Sequence, residues 1–421
     1  MNRERERNES GMTMRQEAER IVQAALAAAM PDAAVHRALA KLPPCAGRLV
    51  LVAAGKAAWQ MAAAASAALG DRIDEGIVIT KYGHARGALP HIRVFEAAHP
   101  VPDGNSFRAT QAAIDLVAPL GQDDLVLFLL SGGGSALFEK PLVPEDELVA
   151  ITQRLLASGA DIVEINTIRK RLSAVKGGRF GALCAPARVF SVVLSDIIGD
   201  PLDMIASGPA YPDSTTGAQA ASIAVRYGLP LSPLAEQLLR QETPKTLDNV
   251  ETHVTGSVRQ LCAAAEAECR ALGYRPLTLT ASLCCEAREA GRFLSSVAAY
   301  HQDTAESLAF LAGGETVVHV TGQGLGGRNQ ELALSAAQGL AGLRDTALFS
   351  VGSDGTDGPT DAAGGYVDGK TCGLLQKEHL QIADVLQNND AYHALDAVGG
   401  LIRTGPTGTN VNDLTVLLIR R

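Results

Sequence analysis

The sequence predicts an α/β protein of two α/β domains, the first a doubly wound, Rossmann-like parallel sheet. Continuous apolar segments alternate with helical segments along the chain. Such uninterrupted apolar strands are typical of parallel sheets that are covered on both faces. The length of 421 residues exceeds the usual size of one domain. A hydrophobic content of 47% is ample for packed cores and excludes a globally disordered chain.

The first half begins with a segment that is almost entirely charged or polar, MNRERERNES. We therefore expect residues 1–13 to be a disordered extension. An amphipathic helix is expected from about Met14 to Met30, where helix formers place small apolar residues on one side. Buried strands follow, and they are expected at Arg48–Ala54, Asp124–Leu130 and Val189–Leu194. Further strands are expected at Ile77–Thr80 and Ile92–Glu96.

A proline-rich, more polar stretch from Pro201 to Asp248 separates the two halves. It predicts an N-terminal domain over residues 14–248 and a smaller C-terminal domain over residues 249–421. In the second half, strands are expected at Pro276–Thr280, Ala309–Leu311, Thr316–Thr321, Ala347–Val351 and Leu414–Ile419. The sequence leaves open whether the last strand stays in the second domain or returns to the first.

Charge and cysteine content restrict the partners and the compartment. The formal net charge is −9, which argues against nucleic-acid or membrane partners, because phosphate backbones and anionic lipids need a basic face. The seven cysteines show no zinc-ligand spacing. They fit buried thiols in a reducing compartment, so we expect a cytoplasmic protein.

Glycine-rich loops follow several predicted strands. In open α/β sheets, ligands bind beyond the carboxyl ends of the strands, and glycine amides at a helix start bind anions. The segment SGGGS after the second buried strand predicts a phosphate-binding loop, or else a tight strand-to-helix turn. Its residues are Ser131, Gly132, Gly133, Gly134 and Ser135.

Two segments match nucleotide-binding sequence patterns. Gly364–Thr371 fits the P-loop pattern, but a polar loop separates it from the preceding strand, so we interpret it as a chance match. Gly322–Gly327 fits the pattern G-x-G-x-x-G between a predicted strand and a predicted helix, which is the context of a dinucleotide fingerprint. The acidic residue that the fingerprint requires is not well placed, so dinucleotide binding stays open.

Charged residues stand beside these loops. Lys56 follows a strand and a glycine, and cations are disfavoured at helix N-termini, so a functional charge is favoured over a solvated one. Asp196 could cap a helix, hold Mg²⁺ or take a proton. Asp354 lies in an aspartate-rich loop that suits Mg²⁺ or Asx turns equally. His84 and His99 are expected to be ordinary polar or capping residues.

Taken together, the motifs resemble the class II glycerate 2-kinase family, whose C-terminal half is a MOFRL-type domain. The resemblance covers nearly the whole chain apart from the charged extension. The segments that carry it are GKAAWQMA (55–62), AAHPVPD (97–103), SGGGSALFEKP (131–141), INTIRKRLSAVKGGR (165–179), SDIIGDPLDMIASGPAYPD (195–213), GGETVVHVTGQGLGGRNQELAL (313–334), SDGTDGPTDAAGG (353–365) and GPTGTNVNDL (405–414).

The resemblance implies two α/β domains with a cleft between them. It also implies ATP-dependent phosphorylation of D-glycerate at the 2-hydroxyl, with Mg²⁺. The family's functional positions match Lys56, Asp196, Arg328 and Asp354. Some relatives are named hydroxypyruvate reductase, so an NAD(P)H-dependent reductase is the alternative. A non-catalytic small-molecule sensor is a third possibility.

Our hypothesis for a kinase site gathers Lys56, Lys176 and Arg328 around the γ-phosphate and the glycerate carboxylate, because Arg suits bidentate contacts with either group. Mg²⁺ is expected on Asp354 or Asp196. Asp196 is favoured to orient or deprotonate the attacking hydroxyl, a role that it could exchange with Asp354. The remaining nucleotide contacts are expected from the SGGGS loop, Gly324 and Asn329. Beyond glycerate, a homodimer partner is a further expectation.

Overall fold

The computed structural model describes residues 11–195, 197, 199 and 201–421. Residues 1–10 of the expected extension lie outside the described residues, as do Asp196 and Asp200. The first described helix starts at Met14, as expected. Thr13 caps it, since the Thr13 side chain accepts a hydrogen bond from the Gln16 amide.

The helices and strands alternate along the chain. The helices are α1 (Met14–Ala29), α2 (Pro31–Leu39), α3 (Ala58–Leu69), α4 (Gly104–Val117), α5 (Gly134–Leu137), α6 (Glu145–Ala157), α7 (Ile162–Arg171), α8 (Arg179–Leu183), α9 (Gly217–Tyr227), α10 (Pro233–Arg240), α11 (Val258–Ala271), α12 (Ala287–Tyr300), α13 (Arg328–Leu340), α14 (Thr371–Lys377), α15 (Ile382–Gln387) and α16 (Ala391–Ala397). The strands are β1 (Leu49–Ala54), β2 (Glu75–Lys81), β3 (Ile92–Ala97), β4 (Leu125–Leu130), β5 (Arg188–Leu194), β6 (Val250–Gly256), β7 (Arg275–Leu283), β8 (Leu308–Gly314), β9 (Thr346–Gly352), β10 (Gly364–Asp368), β11 (Leu401–Ile402) and β12 (Asp413–Ile419).

The chain forms two compact units. The N-terminal unit is residues 31–255, and the C-terminal unit is residues 256–421 together with α1. These bounds differ from the expected domains, 14–248 and 249–421. The reason is that β6 extends the first sheet, while α1 packs against α11 of the C-terminal unit.

A six-stranded parallel sheet in the order β3-β2-β1-β4-β5-β6 forms the centre of the N-terminal unit. This order confirms the prediction of a doubly wound, Rossmann-like sheet. Every residue of β1 and β4 is buried, which explains why both strands read as uninterrupted apolar segments. The strand order reverses between β1 and β4, and this reversal is the topological switch point at which open α/β sheets bind ligands.

The C-terminal unit contains a mixed six-stranded sheet in the order β11-β10-β9-β12-β8-β7. Strand β12 runs antiparallel between β8 and β9, so the last strand stays in the C-terminal unit. All seven residues of β12 are buried, and α12 and α13 contribute to the core on one face of this sheet.

One predicted strand is absent from the structure, and three observed strands were not predicted. The expected strand Thr316–Thr321 is wrong: β8 ends at Gly314, and only an isolated bridge at Val317 follows. Strands β6, β10 and β11 are short or only partly apolar, so they lack a strong sequence pattern. Among residues 11–421 as described, no helix combines the length and apolarity needed to cross a bilayer.

Buried polar contacts fasten α1 to the C-terminal unit. The Glu17 carboxylate is buried and accepts a hydrogen bond from the Tyr274 hydroxyl at 2.6 Å. Arg420, just after β12, pairs with the same carboxylate at 3.3 Å. Burial, and then the hydrogen bond and charge of Glu17, raise the pKa of Tyr274 above its usual range. The helix is therefore held by a charge-assisted contact that needs both elements.

We expect Glu17→Ala to destabilise the C-terminal unit by about 2 kcal/mol, because the buried Tyr274 hydroxyl loses its acceptor. Glu19→Ala is the matched control, since Glu19 lies in the same helix and forms only an exposed pair with Arg15. The control should cost about 0.5 kcal/mol. Denaturant unfolding of the full chain measures both, and equal losses would show that the buried contact contributes nothing.

Candidate functional site

Two turns meet at the switch point of the N-terminal sheet. The turn after β1 carries Gly55 and Lys56, and the turn after β4 carries Ser131 to Gly134. Gly55 has φ +127°, and a Cβ placed on it would lie 2.2 Å from the Ser131 hydroxyl. Only glycine permits this close approach of the two chains, so the turns are fixed against each other.

Hydrogen bonds join the same two turns. The Lys56 amide donates to the Gly132 carbonyl at 2.8 Å, and the Ala57 amide donates to the Ser131 hydroxyl at 3.1 Å. The first turn of α3 begins immediately afterwards. The base of the Lys56 side chain is thus held at the edge of the SGGGS loop, and the helix N-terminus adds partial positive charge.

Gly133 brings Lys56 and His99 together. It has φ +84°, and a Cβ on it would lie 3.1 Å from both Lys56 Cγ and His99 Cδ2. Within the described residues, the amides of Gly132 and Gly133 donate to no backbone carbonyl. Free amides beside a lysine are what an anionic ligand needs. The geometry therefore fits the phosphate-loop prediction better than a purely structural turn.

Positive charge accumulates around this loop. Lys81 lies at the end of β2, and the His84 ring contacts the Lys56 carbonyl at 3.0 Å. Burial lowers the pKa of His99, and the charges of Lys56, Lys81 and His84 lower it further. Lys56 itself is exposed and forms no ion pair with the described part of the chain. We define Lys56, Lys81, His84 and His99 as the cationic cluster.

The segment around Ser207 packs against the SGGGS loop. A Cβ on Gly134 would lie 2.6 Å from the Ala206 Cβ, so this loop position also requires glycine. The Ser135 hydroxyl lies 3.3 Å from that of Ser207, which donates to Asn166 at 2.8 Å. Among the loop residues, Ser131 and Gly134 are buried and serve packing, while Gly132, Gly133 and Ser135 remain accessible.

Lys176 takes a different place from the predicted one. Its side chain is completely buried, and its ammonium pairs with Glu139 at 3.0 Å. It also donates to the carbonyls of Ser135 and Phe138, at 2.8 and 2.9 Å. These contacts use all three ammonium protons. Lys176 therefore holds the end of the SGGGS loop from inside the unit and has no donor left for a phosphate.

In the C-terminal unit, the glycine-rich loop before α13 does not form a dinucleotide fingerprint. The amides of Gly322 and Gly324 donate to Asn389 and Asn388, at 2.9 and 2.8 Å. A Cβ on Gly324 would lie 2.4 Å from the Asp390 Cβ. These glycines thus serve close packing against residues 388–390, and their amides are already occupied. A nucleotide contact through the Gly324 amide would therefore have to replace the bond to the Asn388 carbonyl.

The second motif match also has a structural explanation. Gly364–Thr371 begins inside β10 rather than after a strand, and its last residue starts the seven-residue helix α14. A P-loop glycine follows a strand and cradles phosphates. The segment lacks this arrangement, in agreement with its interpretation as a chance match.

Arg328, the first residue of α13, is clamped by two carboxylates. Its Nε and Nη2 donate to the two oxygens of Asp413 at 2.6 and 2.9 Å. Its Nη1 pairs with Glu315 at 3.0 Å. Burial acts to lower the pKa of Arg328, but Asp413 and Glu315 outweigh it and raise the pKa above the usual range. The Arg328 side chain remains one-third exposed, and these ion pairs hold the guanidinium in one orientation.

A buried carboxylate caps α13. Asp357 accepts from the amides of Asn329 and Gln330, at 3.1 and 2.8 Å. Burial raises its pKa to about 6, against the lowering effect of these amides. The Asn329 side chain is also buried, and it accepts from the Ser350 hydroxyl at 2.5 Å. Asn329 therefore belongs to the packing of the helix start, which departs from the predicted nucleotide contact.

Asp354 lies at the carboxyl end of β9 and is partly exposed. Its carboxylate accepts from the Thr356 amide at 3.0 Å, which is an Asx turn. Within the described part of the chain, no group of three or more His, Cys, Asp or Glu side chains is arranged to hold a metal ion. A single accessible carboxylate still fits Mg²⁺, which often uses one or two protein carboxylates together with substrate phosphates and water.

Comparison with known proteins identifies both halves of the chain. Residues 17–240 match the family model "Domain of unknown function (DUF4147)", and residues 308–413 match the "MOFRL family". A D-glycerate 2-kinase from Thermotoga maritima is 51% identical, over 95% of this chain and 97% of that protein. This chain belongs to the glycerate kinase family.

Other members of the glycerate kinase family extend the comparison. The crystal structure of a glycerate kinase from Thermotoga maritima is 50% identical, with a TM-score of 0.92, and the match covers 96% of this chain and 99% of that one. A protein from Agrobacterium vitis that carries a provisional hydroxypyruvate reductase name is 41% identical, over 97% of this chain and 95% of that protein.

The structure adds residues that the sequence analysis missed. Lys81 and His99 join Lys56 only because β1, β2 and β3 are neighbours with parallel carboxyl ends. Asp413 reaches Arg328 because β12 inserts between β8 and β9. His99 lies in the quoted segment AAHPVPD, directly after a predicted strand, and that position was the available signal. Asp413 lies in the quoted segment GPTGTNVNDL, but its pairing with Arg328 is decided by sheet order.

Gly133→Ala should destabilise the N-terminal unit by about 1 kcal/mol more than Gly83→Ala. Both substitutions force a positive φ on alanine, which costs about 1–2 kcal/mol, but only the new Cβ at Gly133 meets neighbouring atoms. Gly83 has φ +77° and open space around it. Denaturant midpoints compare the two variants, and equal losses would contradict the tight packing of Lys56 and His99 on Gly133.

Asp357 predicts a pH dependence of stability. The pKa of Asp357 is about 6 in the folded protein and 3.8 ordinarily. The protonated carboxyl therefore stabilises the fold at low pH, and this stabilisation is lost as the pH rises through 6. Relative to Asp357→Asn, the wild type should therefore lose about 1 kcal/mol between pH 5 and pH 7.5. The control Asp303→Asn, at an exposed position, should show no such trend. A difference that is constant with pH would contradict the raised pKa.

Proposed function

We propose that the chain is an ATP-dependent D-glycerate 2-kinase, which transfers the γ-phosphoryl group of ATP to the 2-hydroxyl of D-glycerate. The observation that carries the proposal is the loop at the switch point. There, the accessible amides of Gly132 and Gly133 lie beside Lys56, in a chain half identical to a D-glycerate 2-kinase. Phosphoryl transfer depends mainly on positioning and on neutralising charge.

The local charge supports an anionic ligand at this loop. The chain carries a net charge of −9, so ATP and glycerate would be repelled without gathered cations. Lys56 has no ion-pair partner among the described residues and extends along Gly133. We assign it to contact the transferred phosphoryl group, whose negative charge a fixed lysine stabilises in the transition state.

Arg328 is the second cation in the proposal. Two of its nitrogens are held by Asp413 and a third by Glu315, so the guanidinium is rigid before a ligand arrives. A preorganised guanidinium binds a carboxylate or a phosphate with little loss of side-chain entropy. We assign it to the glycerate carboxylate or to a nucleotide phosphate.

Mg²⁺ belongs to the proposal as a substrate-bound ion. Asp354 is the described carboxylate we assign to it, and Asp196 is a second candidate that lies outside the described residues. When bound, Mg²⁺ neutralises charge on the phosphate oxygens. We also propose a cytoplasmic location, which accords with the unpaired cysteines.

The reductase alternative is less well supported. Hydride transfer from NAD(P)H needs a dinucleotide site, and the G-x-G-x-x-G segment is the motif that suggested one. The amides of this segment are occupied by Asn388 and Asn389, and the expected preceding strand is absent. The close relation to kinases over the full length favours phosphoryl transfer.

Product analysis tests the function directly. The protein is incubated with D-glycerate, ATP and Mg²⁺, and phosphorus NMR identifies the product. We expect ADP and 2-phosphoglycerate. A 3-phosphoglycerate product would refute the assigned position. Oxidation of NADH or NADPH with hydroxypyruvate, without ADP formation from glycerate, would refute the kinase and establish the reductase.

Lys56→Ala should reduce kcat at least 100-fold, since losing one preorganised contact to the developing charge typically costs about 10²–10³ in rate. Lys41→Ala is the control, because Lys41 is an exposed lysine at the end of α2 and should leave kcat unchanged. The measurement is steady-state ADP release with D-glycerate, after circular dichroism verifies folding. A Lys56→Ala enzyme that is as active as the control would remove Lys56 from the mechanism.

A further inference from the structure

The cationic cluster contains a side chain that is unlike a simple charge carrier. His99 lies two residues after the end of β3. Its half-buried ring lies against Gly133 of the SGGGS loop. Its Nε2 is 3.3 Å from the point where a Gly133 Cβ would stand. Neither ring nitrogen has a hydrogen-bond partner within the described residues. A half-buried imidazole without a partner is available to a ligand.

The surroundings decide the protonation state of this ring. Among the described residues, the charges of Lys56 after β1, and of Lys81 and His84 at and after the end of β2, act on the ring, and the Asp103 carboxylate accepts from the neighbouring Ala98 amide. The SGGGS loop contributes no acidic side chain. Burial and these charges keep the pKa of His99 below its usual range, so the imidazole is neutral near pH 7.

A neutral imidazole beside two lysines is poor at binding an anion by charge but is able to accept a proton. The kinase reaction releases one, because the attacking hydroxyl must lose its hydrogen. A lysine ammonium donates hydrogen bonds and has no acceptor site, and the exposed His84 ring contacts the Lys56 carbonyl through Nδ1. His99 is the half-buried imidazole of the cluster, it lies against Gly133, and neither of its ring nitrogens has a partner within the described residues.

We propose that His99 is a catalytic residue of this site that accepts the proton of the glycerate hydroxyl. In the step, the O–H bond breaks and its proton passes to a ring nitrogen of His99. The hydroxyl oxygen forms a bond to the γ-phosphorus, the bond from that phosphorus to the bridging oxygen breaks, and ADP leaves with the electron pair. The inference rests on the proposed kinase function.

The alternatives are a positioning role for His99 and proton transfer to another group. A positioning role would hold Gly133 and Lys56 in place and would change KM or stability rather than the pH dependence of kcat. General base catalysis instead contributes about 10²–10⁴ to the rate and leaves an acid limb in the pH profile of kcat.

Kinetics of the full chain with D-glycerate, ATP and Mg²⁺ separate these roles. His99→Gln should reduce kcat about 10²–10⁴-fold, leave the KM of both substrates within about threefold, and remove the acid limb that wild type shows. His99→Ala should recover activity when imidazole is added. His36→Gln is the control, because His36 is an exposed histidine on α2, and it should behave as wild type.

Several results would overturn the proposal. They are a His99→Gln enzyme within threefold of wild-type kcat, an unchanged acid limb in that variant, or no imidazole rescue of a folded His99→Ala enzyme. If the variants fail to fold, NMR titration of the wild-type histidine ring decides, and a His99 ring protonated at the pH of maximal activity excludes the role. Absence of phosphoryl transfer in wild type and His36→Gln refutes the kinase function itself, whereas a defect confined to His99 variants does not.

Discussion

The functional geometry of the N-terminal unit depends on one close contact between two turns. Gly55 lies against Ser131 with no room for a side chain, so the chain segments that leave β1 and β4 are fixed together exactly where the strand order reverses. Because both strands are fully buried, their ends cannot shift. Lys56 and the amides of Gly132 and Gly133 are consequently presented at the crevice where doubly wound sheets bind ligands.

The two units differ in whether their candidate cations are paired with carboxylates. In the N-terminal unit, the cationic cluster faces a loop of glycines and hydroxyls, and its lysines have no carboxylate partner among the described residues. In the C-terminal unit, Arg328 is held by Asp413 and Glu315, so its charge is partly neutralised and its orientation is fixed. The cationic cluster therefore favours the attraction of an anion by charge. The fixed guanidinium of Arg328 favours anions whose shape allows two parallel hydrogen bonds.

Local patterns and tertiary contacts differ at three places. Thr316–Thr321 is rich in β-branched residues, which are typical of strands, yet it forms only an isolated bridge at Val317. Lys176 and Gly324 stand in motifs that suit phosphate binding, but Glu139 neutralises the lysine, and residues 388–390 occupy the glycine loop. Each of these partners is distant in sequence or hidden in another element, so local patterns carried no sign of them.

The sequence alone determined the α/β class, the buried strands β1, β4 and β9, the glycine-rich turns after the first two, and the family, because apolar continuity and ordered motifs are local properties of the chain. Only the tertiary structure decided the unit boundaries, the position of β12, the clamp on Arg328 and the approach of His99 to Lys56. These features depend on which strands become neighbours. Strand order follows from the packing of the whole sheet, so it cannot be predicted from the sequence around any single residue.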